Sequence, residues 1–161
     1  MCLICDRIDM IKKGENPYFV KELETGYVVI GDHQHFKGYT LFLYKEHQTE
    51  LFHLENTQKM KFLEEMTLVA KAVSKAFYAQ KMNYELLGNG DSHIHWHLFP
   101  RMNGDLDGYG NHGKGPVWWY PMEKMYDDSC CPTMQELEDM KSKLLVELNK
   151  IDENRKKNNN E

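Results

Sequence analysis

The sequence predicts an α+β domain built on an antiparallel sheet. Three short segments with strand character precede a long amphipathic stretch, and two further strand segments follow it. Short turns separate the first two strands and the last two, which is typical of antiparallel neighbours. A glycine-rich segment and a final helical pattern complete the chain. Grouped strands with helices placed between the groups favour α+β over a regular α/β alternation.

The amino-terminal half is predicted from turn residues and alternation. Thr25-Gly26 is the turn of a hairpin, because strand-forming residues flank it on both sides. The predicted elements before the long helix are a short helix over 5–13 and strands over 18–24, 27–30 and 38–44.

The long helix is predicted over 57–80, with Asn56 as its N-cap. Its apolar residues recur at helical spacing and are interpreted as core or as a dimer interface. They are Phe62, Leu63, Met66, Val69, Ala70, Val73 and Phe77.

Two strands are predicted after this helix, over 84–87 and 94–99, separated by a Gly-Asn-Gly-Asp turn. Segment 103–121 has the composition of a long ordered loop. A last helix is predicted to begin at Thr133, with Glu136 completing a capping box.

The chain length fits one domain over 1–150, with a core over 2–105 and a carboxy-terminal loop and helix over 106–150. The remainder, 151–161, is charged and asparagine-rich, and is predicted to be frayed or disordered.

Charge and cysteine usage narrow the function classes. A net charge of −5 argues against nucleic-acid binding, which would need a basic patch. The longest apolar runs are far too short for a membrane span, and the amino terminus lacks the pattern of a signal peptide. The adjacent Cys130 and Cys131 fit no disulfide framework. We therefore expect a cytoplasmic protein.

The most informative feature is a row of three histidines at the start of the last predicted strand. His93, His95 and His97 alternate with apolar residues, so a strand would place all three on one face and the apolar residues on the other. Three interpretations are open. An imidazole can attack phosphorus and hold the group covalently while a neighbouring histidine assists. A His-x-His pair can bind zinc. The histidines could also be strand residues with no role.

The run HIHWHLF at 93–99 matches the signature of the histidine triad (HIT) family of nucleotide hydrolases and transferases. The chain resembles this family over roughly 2–105. An amino-terminal Cys-x-x-Cys, a strand ending in an Asp loop, a strand ending at His47, a long helix and an Asn-Gly turn follow the family's order. The continuation Pro100-Arg101 is similar to members that act on dinucleoside polyphosphates. The resemblance implies a HIT-like fold with about five antiparallel strands, and a homodimer.

The resemblance also implies roles for individual residues. His95 would attack the α-phosphate and form a nucleotidyl-histidine intermediate, and His97 would hydrogen-bond the phosphate and assist the leaving group. Asn89 would lie near the phosphate, and Asp32 would bind the ribose hydroxyls. Ser92 is the candidate for contact with the leaving phosphate.

A structural zinc site is implied in the same way. Cys2 and Cys5 alone supply half of a tetrahedral ligand set, and could instead be two small buried side chains. A subset of the family completes the pair with histidines at the positions of His47 and His93. No organic cofactor is expected.

Two departures from the family pattern concern the leaving group. The chain has Gly90-Asp91-Ser92 where many members have a longer Gly-Gln-Ser/Thr segment, and Tyr39 where members often have a histidine.

The implied function is cleavage at the α-phosphate of a dinucleoside polyphosphate or related nucleotide. The alternatives are a nucleoside phosphoramidate hydrolase and a non-catalytic zinc or nucleotide-binding protein. Trp118 and Trp119 are interpreted as covering an apolar patch or a subunit contact, with base stacking as the alternative. His33, His35, His53 and His112 are assigned no role.

Overall fold

The structure, a computed structural model, describes residues 1–106 and 120–158. Five strands form one sheet: β1 (Phe19–Glu22), β2 (Gly26–Ile30), β3 (Thr40–Tyr44), β4 (Lys81–Glu85) and β5 (His95–Arg101). The helices are α1 (Leu3–Lys13), α2 (Asn56–Ala76), α3 (Met122–Met125) and α4 (Met134–Asn158). Short 3-10 turns cover Leu51–His53 and Asp128–Cys130.

The strand order is β1-β2-β3-β5-β4, and every neighbouring pair is antiparallel. The predicted α+β class with a five-stranded antiparallel sheet is confirmed. Register places His95 opposite Leu43 and His97 opposite Leu41. Because cross-strand partners share a face, both histidines lie on the same side of the sheet as these leucines.

One face of the sheet carries the main apolar core. Phe42 and Leu98 pack there against α2 and α4, whose buried side chains include Phe62 and Leu144. Trp96 also lies on this face, so the alternation predicted for the last strand is confirmed. The same cluster shows that the apolar stripe of the long helix is core.

The opposite face is covered in patches. Helix α1 buries Ile4, Ile8 and Ile11 against Tyr27, Val29 and Leu43 at one end. A second apolar cluster lies near the other end of this face of the sheet. It contains Phe36, Tyr39, Phe99, Leu106 and Met125. The strand positions of His95 and His97 lie between these two clusters.

Several predicted boundaries were wrong. Helix α2 includes Asn56 as its first residue, and the flanking cap position is Glu55, without a side-chain cap. The fourth strand covers Lys81–Glu85 rather than 84–87, because its pairing continues along β5 to Arg101.

The carboxy-terminal helix extends further than the composition suggested. Helix α4 continues to Asn158, and Ile151 is buried against the core, so the prediction of disorder was wrong over 151–158. The start of this helix was predicted correctly: Thr133 Oγ1 accepts from the Glu136 backbone N–H, and Glu136 accepts from the Thr133 N–H.

Residues 103–106 of the predicted loop over 103–121 are irregular. Most of the remainder lies outside the described residues, and this part includes His112, Trp118 and Trp119. Within residues 1–106 and 120–158, no helix combines the length and apolarity needed to cross a membrane.

Candidate functional site

The paired histidines of β5 form the centre of the candidate site. Rings of His95 and His97 lie 4.7 Å apart between centroids, with an interplanar angle of 61°. Both project from the same face of one strand, so the backbone sets their separation. Two imidazoles at this distance can contact neighbouring atoms of a single phosphate group.

The hydrogen bond to His95 determines its tautomer. His95 Nδ1 lies 2.5 Å from the carbonyl oxygen of His93, and a carbonyl oxygen only accepts. Nδ1 therefore carries the proton, and the lone pair of the neutral ring is on Nε2. Burial lowers the pKa of His95 below its ordinary value, which favours this neutral form.

His97 is held by Tyr39, the residue that departs from the family pattern. Tyr39 Oη lies 2.6 Å from His97 Nδ1, and the phenol ring stacks parallel to the imidazole. Burial raises the pKa of Tyr39 well above its ordinary value, so the hydroxyl keeps its proton and can donate it to Nδ1. The remaining proton of a neutral His97 is then on Nε2.

The environment of His97 also keeps it uncharged. Burial, reinforced by the neighbouring His95, lowers the pKa of His97 to about 3. A ring with its proton on Nε2 donates a hydrogen bond without being an imidazolium. The two rings therefore offer different groups: a lone pair on His95 and an N–H on His97.

His93 lies two residues before β5 and belongs to a second constellation. Its side chain is fully buried, and burial lowers its pKa. Nε2 donates to the Tyr44 carbonyl oxygen at 2.8 Å, so the Nδ1 lone pair faces the other way. Nδ1 lies 3.5 Å from Cys5 Sγ and 3.9 Å from Cys2 Sγ.

The predicted zinc ligands are brought together by α1 and by the segments flanking β3 and β5. Donor atoms of Cys2, Cys5, His47 and His93 all lie within 4.8 Å of one another. Cys5 Sγ is 3.3 Å from His47 Nδ1. Zinc bonds of about 2.0–2.3 Å at tetrahedral angles separate ligand atoms by roughly 3.3–3.8 Å. The cluster fits this geometry, and the Tyr44 carbonyl orients His93 as a metal ligand requires.

Asp32 lies two residues after β2 and is paired with Arg7 of α1. The carboxylate accepts two guanidinium N–H groups, and Nη1 is 2.6 Å from Oδ1. This pairing raises the pKa of Arg7. No pattern in the sequence points to Arg7, because its partner is distant in the chain. Any ribose contact by Asp32 has to share its oxygens with this guanidinium.

Asn89 and Ser92 are exposed on the irregular segment between β4 and β5. Between them, the Asp91 carboxylate accepts the backbone N–H of Leu3 at 2.8 Å. This contact attaches the start of α1, and with it Cys2, to the segment that precedes the histidines.

The comparisons with known proteins agree with this architecture. The model of the HIT domain family matches residues 16–104, and the chain belongs to this family. Among curated proteins, none matches significantly.

Crystal structures of HIT proteins share the fold. One from Sinorhizobium meliloti 1021 aligns with a TM-score of 0.67 at 21% identity, covering 80% of this chain and 87% of that one. One from Marinobacter aquaeolei VT8 gives 0.67 at 22% identity over 82% and 88%. A zinc-bound HIT family protein from Mycobacterium smegmatis gives 0.61 at 19% identity over 94% and 96%.

Proposed function

We propose that this HIT protein is a nucleotide hydrolase that transfers a nucleoside monophosphate to His95 and then to water. The observation that carries the proposal is the set of partners held by two adjacent rings: His95 Nδ1 lies on a carbonyl oxygen, and His97 Nδ1 lies on the Tyr39 hydroxyl. His95 has its lone pair on Nε2, because Nδ1–H is held by the His93 carbonyl. In the proposed arrangement Tyr39 donates to His97 Nδ1, which leaves the N–H of His97 on Nε2.

In the first step, His95 Nε2 attacks the α-phosphorus. An Nε2–P bond forms, and the bond from phosphorus to the bridging oxygen breaks, so that the rest of the substrate, a nucleoside polyphosphate, leaves with the electron pair on that oxygen. The ring becomes a cationic nucleotidyl-imidazolium, which the His93 carbonyl dipole stabilises through Nδ1–H. Water then attacks the same phosphorus, the Nε2–P bond breaks with its electron pair returning to Nε2, and one water proton passes to solvent. Neutral His95 is restored, and a difficult displacement is split into two easier steps.

His97 supports both steps through its Nε2–H, which donates to a phosphate oxygen as negative charge develops there. Tyr39 is proposed as a positioning residue, because its hydroxyl contacts His97 Nδ1 and its ring lies nearly parallel to the imidazole. Asp32 remains the proposed ribose ligand, and Asn89 and Ser92 the proposed phosphate contacts.

The proposed substrate class is the dinucleoside polyphosphates. Steady-state rates on diadenosine tetraphosphate and adenosine phosphoramidate separate this class from the phosphoramidate alternative, which uses the same His95 intermediate on a P–N bond. We expect the larger kcat/KM on the tetraphosphate. A higher kcat/KM on the phosphoramidate would reverse the substrate assignment while leaving the His95 mechanism in place.

The pairing of Asp32 with Arg7 favours a second candidate function, a nucleotide-binding protein without turnover. In that case Asp32 would stay paired with Arg7, and the histidines would bind the phosphate without forming a covalent bond to it. Calorimetry with a nucleoside monophosphate, together with a turnover assay, distinguishes the two. Nucleotide binding without any product, when the substrate is in large molar excess over the protein, would support the non-catalytic function.

We propose in addition that Cys2, Cys5, His47 and His93 bind a structural zinc ion. The fitting donor distances and the oriented His93 ring support this. The ion would join the amino terminus to the segment before β5. The same segment carries the His93 carbonyl, which lies 2.5 Å from His95 Nδ1.

Metal analysis of Cys5→Ala tests the zinc proposal. We expect the variant to carry one equivalent of zinc less than the unsubstituted protein and to melt at a lower temperature, because metal binding contributes to folding. Cys130→Ala is the matched control, since its thiol lies outside this cluster. Equal zinc content in Cys5→Ala and the unsubstituted protein would contradict the proposed zinc site.

The family resemblance also supports a homodimer as the working assembly. Sedimentation equilibrium should then give a species of twice the 19.1 kDa chain mass. A single species at the chain mass across the concentration range would contradict the homodimer.

A further inference from the structure

A second group of metal-binding side chains lies outside the histidine row. Donor atoms of His33, Asp128 and Cys131 lie within 4.8 Å of one another. His33 follows β2 and comes directly after Asp32, whereas Asp128 and Cys131 come from the 3-10 turn and the residue after it. The donors therefore converge from two segments almost a hundred residues apart in the chain.

Contacts that involve no metal already hold these segments together. The backbone N–H of Gln34 donates to the Cys130 carbonyl oxygen at 2.7 Å. The His33 ring lies edge-on to Tyr126, with centroids 5.5 Å apart. A second imidazole–thiol contact lies beside the cluster, with His35 Nδ1 3.8 Å from Cys130 Sγ. The two segments are thus held together before any ion binds.

We propose that His33, Asp128 and Cys131 form a second metal site, for a divalent ion of the zinc class. His33 Nε2 is 4.0 Å from Asp128 Oδ1, slightly more than the roughly 3.3–3.8 Å between ligands of a tetrahedral zinc ion. A small movement of the exposed Asp128 side chain closes this difference. Imidazole, thiolate and carboxylate together are donors that zinc accepts.

The charges of the set also match a divalent cation. Cysteine thiolate and aspartate supply two negative charges, and neutral histidine supplies none, so the complex with the ion is neutral. Three protein ligands leave one tetrahedral position to water. Because Asp128 and Cys131 are exposed and the set has three ligands, we expect weaker zinc binding here than at the four-ligand cluster.

Occupancy would link two parts of the chain. The ion would tie the segment that precedes α4 to the loop that carries Asp32. This inference does not depend on nucleotide hydrolysis, because its ligands are separate from His95 and His97.

Zinc stoichiometry in native mass spectra tests the proposal. We expect two zinc ions per chain at saturating zinc and one in Cys131→Ser. Cys130→Ser is the matched control and should keep two, because its thiol is adjacent in sequence but not among the three ligands. Equal counts in the unsubstituted protein and Cys131→Ser would overturn the site. Equal losses in both serine variants would overturn the choice of Cys131 as the ligand.

Thiol protection supplies a second readout that does not depend on the first zinc cluster. In a Cys130→Ser background, zinc should slow alkylation of Cys131 at least several-fold. His33→Ala in that background should abolish the protection. Protection that persists in His33→Ala, or that never occurs, would contradict the proposed ligand set.

Discussion

The two faces of the sheet differ in what their side chains contribute. The face under α2 and α4 is a continuous apolar layer in which Phe42, Leu98 and Leu144 are fully buried. The opposite face has apolar clusters near its ends, with His95 and His97 between them. Strand β5 contributes to both faces, since alternate residues point in opposite directions.

Strand β5 therefore has side chains that stabilise the fold on one face and side chains proposed for the chemistry on the other. The apolar layer fixes the position of β5, and the histidines then use a backbone that does not have to be ordered during the reaction. Substitutions on the two faces should consequently affect different measurements.

The largest effect is expected for His95→Ala. Removing the nucleophile should reduce kcat by about 10⁴-fold or more, because alanine cannot form the bond to phosphorus that the proposed first step needs. The melting temperature should change little by comparison. His53→Ala, which truncates an exposed histidine far from β5 in sequence, is the control and should retain full turnover. Comparable kcat values in the two variants would contradict the role of His95.

The reverse pattern is expected for Leu144→Ala on the apolar face. Truncating this fully buried side chain should lower the free energy of unfolding by about 2–5 kcal/mol, measured by urea denaturation. Turnover per folded molecule should be unchanged. Leu145→Ala is the matched control, because Leu145 is exposed on the same helix. A large loss of kcat in folded Leu144→Ala would contradict the assignment of stability to one face and chemistry to the other.

The apolar face was the easier one to predict from sequence. Helical spacing identified the buried stripe of α2, and alternation placed Trp96 and Leu98 correctly. The same spacing continues in α4 from Leu148 to Ile151, although the charged composition there led to a prediction of disorder. One buried side chain per turn outweighs polar neighbours on the exposed side of a helix.

The polar face was predicted only in part. The family resemblance supplied the set Cys2, Cys5, His47 and His93, which the fold brings together. Two pairings had no signal in a single sequence. Arg7 with Asp32 and Tyr39 with His97 join residues 25 and 58 positions apart, so neither spacing nor periodicity could reveal them.

Tyr39→Phe tests the second of these pairings and should have an intermediate effect. Without the hydroxyl, His97 can place its proton on either nitrogen, and we expect kcat to fall by about tenfold with little change in KM. Tyr84→Phe is the control, because that ring is exposed on β4. Equal kcat in both variants would mean that the tautomer of His97 does not limit the reaction.

The smallest expected effect is in the pH profile. Burial lowers the pKa values of His95 and His97, the latter to about 3, so both rings stay neutral as the pH falls through the ordinary value of 6.5. The logarithm of kcat/KM should therefore stay level through pH 6.5 and decline only at lower pH. Zinc content should be counted at each pH as a control. A decline centred at or above pH 6.5 would contradict neutral, buried histidines.

The most direct test of the account is to trap the covalent intermediate. Rapid acid-free quenching of the protein with a radiolabelled dinucleoside polyphosphate, followed by peptide mapping, should place one nucleoside monophosphate on His95 and none on His97. His95→Ala should give no adduct. Label on another residue would contradict the proposed nucleophile. Turnover, followed as oxygen-18 transferred from water to the monophosphate, without any trapped adduct at the shortest times would also contradict it.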